Sequence, residues 1–182
     1  MEKEENNIVI TDNFLSVEKF DTVREAIESE SFPWYWIPCF VFTDEDSLLT
    51  PGQFNHMIYI YGVPTSPFFE SHFSPILKEL DVSILTRIKI NSISRLTEPF
   101  YSPFHVDSED VYPCMYCMAS ILYINTNNGY TEFEDGTKVK SVANRMVTFP
   151  LSTRHRGVTQ TDEQRRIVIN FNYLKRKEMK KE

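Results

Sequence analysis

Between Cys117 and Tyr173, short runs of strand-forming residues alternate with turn signals, and that spacing restricts the fold more than any other feature of the chain. Residues 117–125 read as a strand, Asn127-Asn128-Gly129 as a turn and residues 130–134 as a strand, after which Asp135-Gly136 turns the chain into residues 137–142. Asp-Gly accepts the left-handed backbone of a tight antiparallel turn, so the last two runs form a hairpin. Arg145-Met146-Val147-Thr148-Phe149-Pro150 gives one more strand, and residues 164–173 close the series.

The first half is mixed. Ile8-Val9-Ile10-Thr11 is a short strand, and Ser16 is an N-cap for a helix whose apolar positions Val17, Phe20, Val23, Ala26 and Ile27 follow helical spacing. Residues 32–42 form an aromatic, extended segment whose prolines suit a sheet edge, followed by an acidic loop at Asp44-Glu45-Asp46. Residues 54–61 read as a strand ended by Gly62 and the proline-rich stretch 63–67. Ser74-Pro75 has the order of a helix start, with Ile76, Leu77 and Leu80 as the apolar stripe and an end near Asp81. Residues 84–91 then alternate, with Arg87, Lys89 and Asn91 on one face and Ile88 and Ile90 on the other. The expected fold is mainly β, of α+β type: an antiparallel, barrel-like sandwich with helices confined to the first half.

A chain of 182 residues with 41% hydrophobic and 14% aromatic content is a folded globular protein, most simply one domain over residues 1–173. Residues 1–7 are expected to be a flexible N-terminal segment and 174–182 a basic tail. The N-terminus lacks the basic-then-apolar pattern of a signal peptide, and no apolar run approaches a membrane span, so a soluble cytoplasmic protein is expected. Three cysteines argue for a reducing compartment over a disulfide framework. The net charge of −7 conceals a local +3 in the tail, so the body carries −10 and would repel a phosphate backbone. The tail itself reads as a solvated end.

The chemistry gathers at Phe104-His105-Val106-Asp107-Ser108. On a strand, residues i and i+2 project from one face, so His105 and Asp107 could reach one metal ion. Together with His155 they make two imidazoles and one carboxylate, the facial triad that suits non-haem Fe(II) and leaves positions open for oxygen chemistry. Alone, HxD reads more readily as an ordinary surface pair after the Ser102-Pro103 turn.

In order along the chain, His105-Val106-Asp107, Tyr123-Ile124-Asn125, Asn128-Gly129-Tyr130-Thr131-Glu132-Phe133, His155 and Arg166-Ile167-Val168-Ile169-Asn170-Phe171 resemble the 2-oxoglutarate/Fe(II)-dependent dioxygenases. Within that superfamily the chain looks like the small prolyl-hydroxylase-like members, including single-domain versions encoded by phages, and the likeness spans residues 84–173. It implies a double-stranded β-helix, or jelly roll, with N-terminal helices packed on the major sheet. It implies that His105, Asp107 and His155 bind Fe(II), and that a basic residue grips the distal carboxylate of 2-oxoglutarate with help from the Tyr123 hydroxyl. Arg165 and Arg166 both stand near the required place; strand parity favours Arg166, which shares a face with Val168, Asn170 and Asn172. Asn91, with Lys89 and Arg87 beside it, is a further cofactor contact. One glycine of the family's Gly-Gly pair is Asn128 here, at a turn that tolerates asparagine.

The implied reaction consumes O₂ and 2-oxoglutarate, releases succinate and CO₂, and hydroxylates a C–H bond, with ascorbate admitted as a reductant. The carboxylate of Asp107 argues against a halogenase. The substrate is unidentified, a peptide or protein side chain such as proline being favoured over nucleic acid, and the location is the host cytoplasm if the chain is phage-encoded. The same three ligands could instead hold a hydrolytic zinc, or the chain could be a non-catalytic jelly-roll metal-binding module. Cys114-Met115-Tyr116-Cys117 has CxxC spacing but lacks further zinc ligands and a βαβ context, so it reads as small core or loop cysteines. His56 and His72 have no partners at metal spacing and read as structural.

Overall fold

The structure, a computed structural model, describes residues 8–38, 51–107 and 116–176. The expectations placed on residues 1–7, on the acidic loop at Asp44-Glu45-Asp46, on Cys114 and on most of the basic tail lie outside the described residues.

The elements in chain order are β1 (Val9–Thr11), α1 (Val17–Glu28), β2 (Tyr35–Ile37), β3 (Gln53–Ile60), β4 (Val63–Pro64), a π-helical turn (Phe69–Phe73) running into α2 (Ser74–Glu79), β5 (Val82–Ser94), β6 (Cys117–Tyr123), β7 (Tyr130–Phe133), β8 (Lys138–Lys140), β9 (Met146–Pro150), β10 (His155–Val158) and β11 (Arg165–Lys175). They form an antiparallel eight-stranded sheet in the order β1-β9-β6-β11-β5-β3-β2, with β4 paired to β3, and a smaller sheet in the order β10-β7-β8. The proline-flanked aromatic strand β2 is an edge strand, as expected.

Strand β11 organises both layers because its two faces differ. Ile167, Ile169, Phe171 and Tyr173 join Ile88 and Ile90 of β5 in a core that α1, the π-helical turn and α2 cover with Phe20, Val23, Ile27, Phe69, Phe73 and Ile76. The opposite face carries Arg166, Val168, Asn170 and Asn172, in register with Ile93, Asn91, Lys89 and Arg87 of β5. Between the two sheets, Ala119, Ile121, Tyr123, Phe133, Val147, Phe149 and Val168 make a second apolar core. The inward surface is therefore apolar toward β6 and β9 and polar toward β5.

Several local expectations need adjustment. Val17 is 73% exposed, because it lies about a quarter turn from the stripe through Phe20, Val23 and Ile27. Ser74 is not an N-cap: the helix begins earlier, Ser74 has helical dihedrals (φ −55°, ψ −38°), and its backbone N–H donates to the Phe69 carbonyl. Burial of Phe69 and Phe73, the former stacked on Tyr59 at 5.0 Å, draws the helical path upstream of the serine. Residues 155–158 form a further strand, β10, between the two expected at residues 145–150 and 164–173.

One buried tether joins the start of α1 to the turn before β9. The Asn144 side chain accepts from the Leu15 N–H at 2.9 Å and donates to the Leu15 carbonyl at 2.8 Å. Asn144 also has a φ of 60°, a left-handed conformation that asparagine tolerates better than most residues. Asn144→Ala is expected to cost about 3 kcal/mol, from two unsatisfied backbone groups and the left-handed alanine. Asn144→Gly should recover about 1 kcal/mol of that loss; urea unfolding of both variants measures the difference.

Candidate metal centre and cofactor pocket

His105 and His155 are brought together by backbone pairing. The two residues form an antiparallel bridge, His105 N–H to His155 carbonyl and the reverse both at 3.0 Å, which extends the small sheet by an irregular segment. Tyr101 and Val158 form a second antiparallel bridge through their neighbours: the Ser102 N–H donates to the Gly157 carbonyl at 3.1 Å and the Thr159 N–H to the Phe100 carbonyl at 3.0 Å. HxD is thus not a continuous strand: His105 holds the bridge and Asp107 sits in a bend. Both acidic and imidazole side chains still reach one point, since the candidate ligand atoms of His105, Asp107 and His155 all lie within 4.8 Å of one another.

The imidazoles are oriented by short local bonds. His105 Nδ1 is 3.1 Å from the Pro103 carbonyl and His155 Nδ1 is 3.1 Å from the Thr153 carbonyl. A carbonyl only accepts, so each Nδ1 carries a proton and Nε2 is the nitrogen left to face the shared point. Behind them, Phe149 lies edge-on to His155 at 4.8 Å and packs against Phe133. Burial holds the His105 pKa below its ordinary value, reinforced by His155 and Arg87 and opposed by the Pro103 carbonyl and Asp107. The neutral, ligating form is favoured.

Asp107 is buried, and burial alone would raise its pKa. Arg87, His155, the Asn172 hydrogen bond and His105 together outweigh that effect and hold the carboxyl below its ordinary value. Asn172 Nδ2 donates to Asp107 Oδ2 at 2.8 Å, Arg87 Nη2 stands 3.4 Å from Oδ1, and His155 Nε2 lies 3.8 Å from the same Oδ1.

These groups open into a cavity of about 280 Å³, whose lining includes Gln53, Arg87, Lys89, Asn91, Ile93, Ser102, Thr131, Gly157, Arg166, Val168 and Asn170. The polar face of β5 thus faces the cavity. A more open hollow lined by Tyr59, Tyr61, Gly62 and residues 83–86 contains no charged side chain.

Arg166 is 3% exposed, whereas Arg165 is exposed on the other face of β11. Its Nε donates to Ser141 Oγ at 2.9 Å, its Nη2 to Thr131 Oγ at 3.3 Å, and its guanidinium carbon lies 5.6 Å from the Tyr123 ring centre. Burial pushes its pKa down, and no carboxylate among the described residues pairs with it. Gly129 is required beside it, because a Cβ there would stand 2.9 Å from Arg166 Cδ and 2.9 Å from the Val158 carbonyl. The neighbouring Asn128, in place of the other glycine of the resembled pair, binds the Thr161 side chain and backbone, and its N–H donates to Asp162.

Tyr123 lies beneath Arg166 and is fully buried, its hydroxyl donating to Thr131 Oγ at 2.7 Å. Thr131 accepts from both Tyr123 and Arg166, so its own O–H is free to donate into the cavity. Asn91 borders the cavity with its Oδ1 unpartnered, as does Asn170. His56 and His72 are elsewhere: His56 Nδ1 bonds the Pro33 carbonyl at 2.6 Å and His72 Nδ1 bonds Ser71. Cys117 is buried in the second apolar core. The residues not singled out from sequence are Thr131, Ser141 and Asn172 as contacts of the site; parity along β11 had put Asn172 on the right face without a role.

The donor set suits the groups the resemblance implies. Two oriented Nε2 atoms and one carboxylate oxygen match non-haem Fe(II), and an unpaired buried guanidinium at the other end of the cavity matches a carboxylate.

No family model matches the chain, and no curated protein matches it either. Solved structures do. A Pseudomonas putida prolyl-4-hydroxylase aligns over 94% of this chain and 94% of its own at 11% identity and a TM-score of 0.57. The viral collagen prolyl hydroxylase of Paramecium bursaria Chlorella virus-1, in complex with 2-oxoglutarate, aligns over 93% and 96% at 14% identity and a TM-score of 0.53. A non-haem α-ketoglutarate-dependent carbocyclase from nogalamycin biosynthesis aligns over 94% and 80% at 14% identity and a TM-score of 0.61. Nearly the whole described chain thus follows one architecture, and its fold is the double-stranded β-helix of the 2-oxoglutarate/Fe(II) oxygenases.

Proposed function

We propose that the protein is an Fe(II)- and 2-oxoglutarate-dependent dioxygenase that hydroxylates a C–H bond and releases succinate and CO₂. The observation that carries this reading is the pairing, in one cavity, of the His105-Asp107-His155 cluster with the buried, carboxylate-free guanidinium of Arg166. A zinc hydrolase or a non-catalytic metal module uses the first feature and gives no reason for the second. A buried unpaired cation is costly, so a site that retains one is a site for an anion.

In this reading His105 and His155 offer Nε2 and Asp107 offers Oδ1 to Fe(II). Arg166 holds the distal carboxylate of 2-oxoglutarate through a planar pair of N–H groups, and the free O–H of Thr131 adds a donor there. Tyr123 supports both from below: burial raises its pKa, so the phenol stays protonated and keeps Thr131 turned toward Arg166. Asn91 stands on the β5 wall of the same cavity and would contact a carboxylate through its Nδ2 donors. Ile93, Ile121 and Val168 exclude water along the walls. Fe(II), 2-oxoglutarate and O₂ bound together supply oxidative decarboxylation of the keto acid coupled to oxidation of the substrate.

For the substrate we favour a peptide or protein side chain such as proline, on the prolyl-hydroxylase-like motif order and on the prolyl hydroxylases among the structural neighbours. The carbocyclase among the same neighbours marks how far outcomes diverge on this fold. Nucleic acid fits poorly with the acidic body of the chain.

Anaerobic Fe(II) loading followed by 2-oxoglutarate should produce a visible charge-transfer band, and admitting O₂ should yield succinate. Asp107→Ala is expected to abolish both. A wild-type chain that binds neither iron nor 2-oxoglutarate would sink the dioxygenase reading. Arg166→Met should leave Fe(II) binding within a few-fold of wild type while weakening 2-oxoglutarate by about 100-fold or more, as measured by the charge-transfer titration. The same change should stabilise the ligand-free protein by on the order of 1 kcal/mol, because a buried unpaired charge is replaced by an apolar chain; thermal unfolding without ligand reads the sign.

A further inference from the structure

The cluster contains more than its three ligands. Asp107 has two oxygens, and the structure treats them differently. Oδ2 accepts from Asn172 Nδ2 at 2.8 Å, whereas Oδ1 is the oxygen 3.8 Å from His155 Nε2. The Asn172 amide is itself fixed: its Oδ1 accepts from Arg87 Nε at 2.7 Å. An arginine nitrogen only donates, so the atom facing Arg87 must be the amide oxygen and the atom facing Asp107 must be the NH₂. Arg87 thereby decides which way Asn172 points, and Asn172 decides which carboxylate oxygen is occupied.

We infer that Asn172 and Arg87 are positioning residues that make Asp107 a one-oxygen metal ligand. The inference rests on the metal reading above. With Oδ2 engaged, only Oδ1 is presented to the point shared with the two Nε2 atoms, and the coordination position that a two-oxygen carboxylate would fill stays open for cosubstrate. The placement follows from register: Asn172 pairs with Arg87 across β11 and β5, and both side chains fall on the cavity face. Asn172 is 3% exposed, so water does not compete for its bonds. Arg87 also stands 3.4 Å from Oδ1 and neutralises the carboxylate, but charge alone would not distinguish the two oxygens. The directional bond from Asn172 does.

The test is metal binding, not turnover. The full chain, stripped of metal, is titrated with Mn(II), with the free ion followed by electron paramagnetic resonance, and separately loaded with Co(II) to record its d–d spectrum. Asn172→Ala and the near-isosteric Asn172→Leu are each expected to weaken Mn(II) binding by roughly 10- to 100-fold, the usual effect of removing a partner of a metal ligand. Their Co(II) spectra should differ from wild type, because Oδ2 becomes free to coordinate. In the Arg87→Met/Asn172→Ala double variant, the Co(II) spectrum should superimpose on that of Asn172→Ala, since Arg87 orients the carboxylate through the amide; its direct charge beside Oδ1 changes affinity, not which oxygen coordinates. Two folded variants that bind Mn(II) within about threefold of wild type and give superimposable Co(II) spectra would overturn the assignment, and a double variant whose Co(II) spectrum departs from that of Asn172→Ala would overturn the part given to Arg87. A wild-type chain that takes up no Mn(II) is a distinct result: it removes the metal reading itself, and this inference with it.

Discussion

The alternation of β11 is the constraint on which the rest of the structure depends. A strand presents successive side chains to opposite faces, and here both faces are buried for different reasons. Ile167, Ile169, Phe171 and Tyr173 hold the helices on the large sheet. Arg166, Val168, Asn170 and Asn172 line the interior, and the register with β5 adds Arg87, Lys89 and Asn91 to the same surface. A slip of one residue would put a guanidinium and two amides into the helix-packing core, so the apolar face enforces the polar one. The cavity is a consequence of how the core is packed on its far side.

That alternation is why so much of the site was legible. Period-two patterning in residues 84–91 and 164–173 favours Arg166 over Arg165 and groups Asn91, Lys89 and Arg87 on one face, which pattern alone leaves open to solvent or a pocket and which the fold turns into the cavity. What escaped has physical reasons. Strand β10, His-Arg-Gly-Val, is four residues long with a glycine and two polar residues, and its propensity is overridden by pairing with β7 on one side and with residues 101–105 on the other. Ser74-Pro75 has the local chemistry of a helix start, but burial of Phe69 and Phe73 extends the helical path beyond it. Thr131 and Ser141 are unremarkable in sequence; their hydroxyls matter only because tertiary packing sets them against Arg166.

The pairing of His105 with His155 solves a separate problem. Ligands far apart in sequence need a common reference, and side-chain packing alone allows more freedom than a metal site tolerates. Two reciprocal backbone hydrogen bonds between the histidines themselves supply that reference, and the Nδ1 bonds to Pro103 and Thr153 fix each ring in turn. Val106 and the bend at Asp107 then deliver the carboxylate from a less regular part of the chain, which is where additional orienting bonds are most needed. Asn172 and Arg87 stand on the longest strand pair of the described residues, just before a register shift at Asn172/Tyr173, and reach that bend.

The two arginines of the cavity, Arg166 buried and Arg87 partly exposed, show how polar groups on one wall can be satisfied on different terms. Arg87 faces Asp107 and Asn172, so its charge is compensated within the fold. Arg166 has only hydroxyls and an aromatic face, which solvate a guanidinium without neutralising it. Near it, the Asn91 and Asn170 amide oxygens are buried without partners. Two of the four buried side-chain atoms without a partner among the described residues, together with the uncompensated guanidinium, thus line the cavity that holds the candidate ligands. An interior of this kind defers part of its stabilisation to whatever binds there, because a ligand that supplies the missing charge and hydrogen bonds stabilises the native state by mass action. The same deferral gives selectivity, since a molecule lacking a carboxylate at the right distance from the cluster leaves the cost of Arg166 unrelieved.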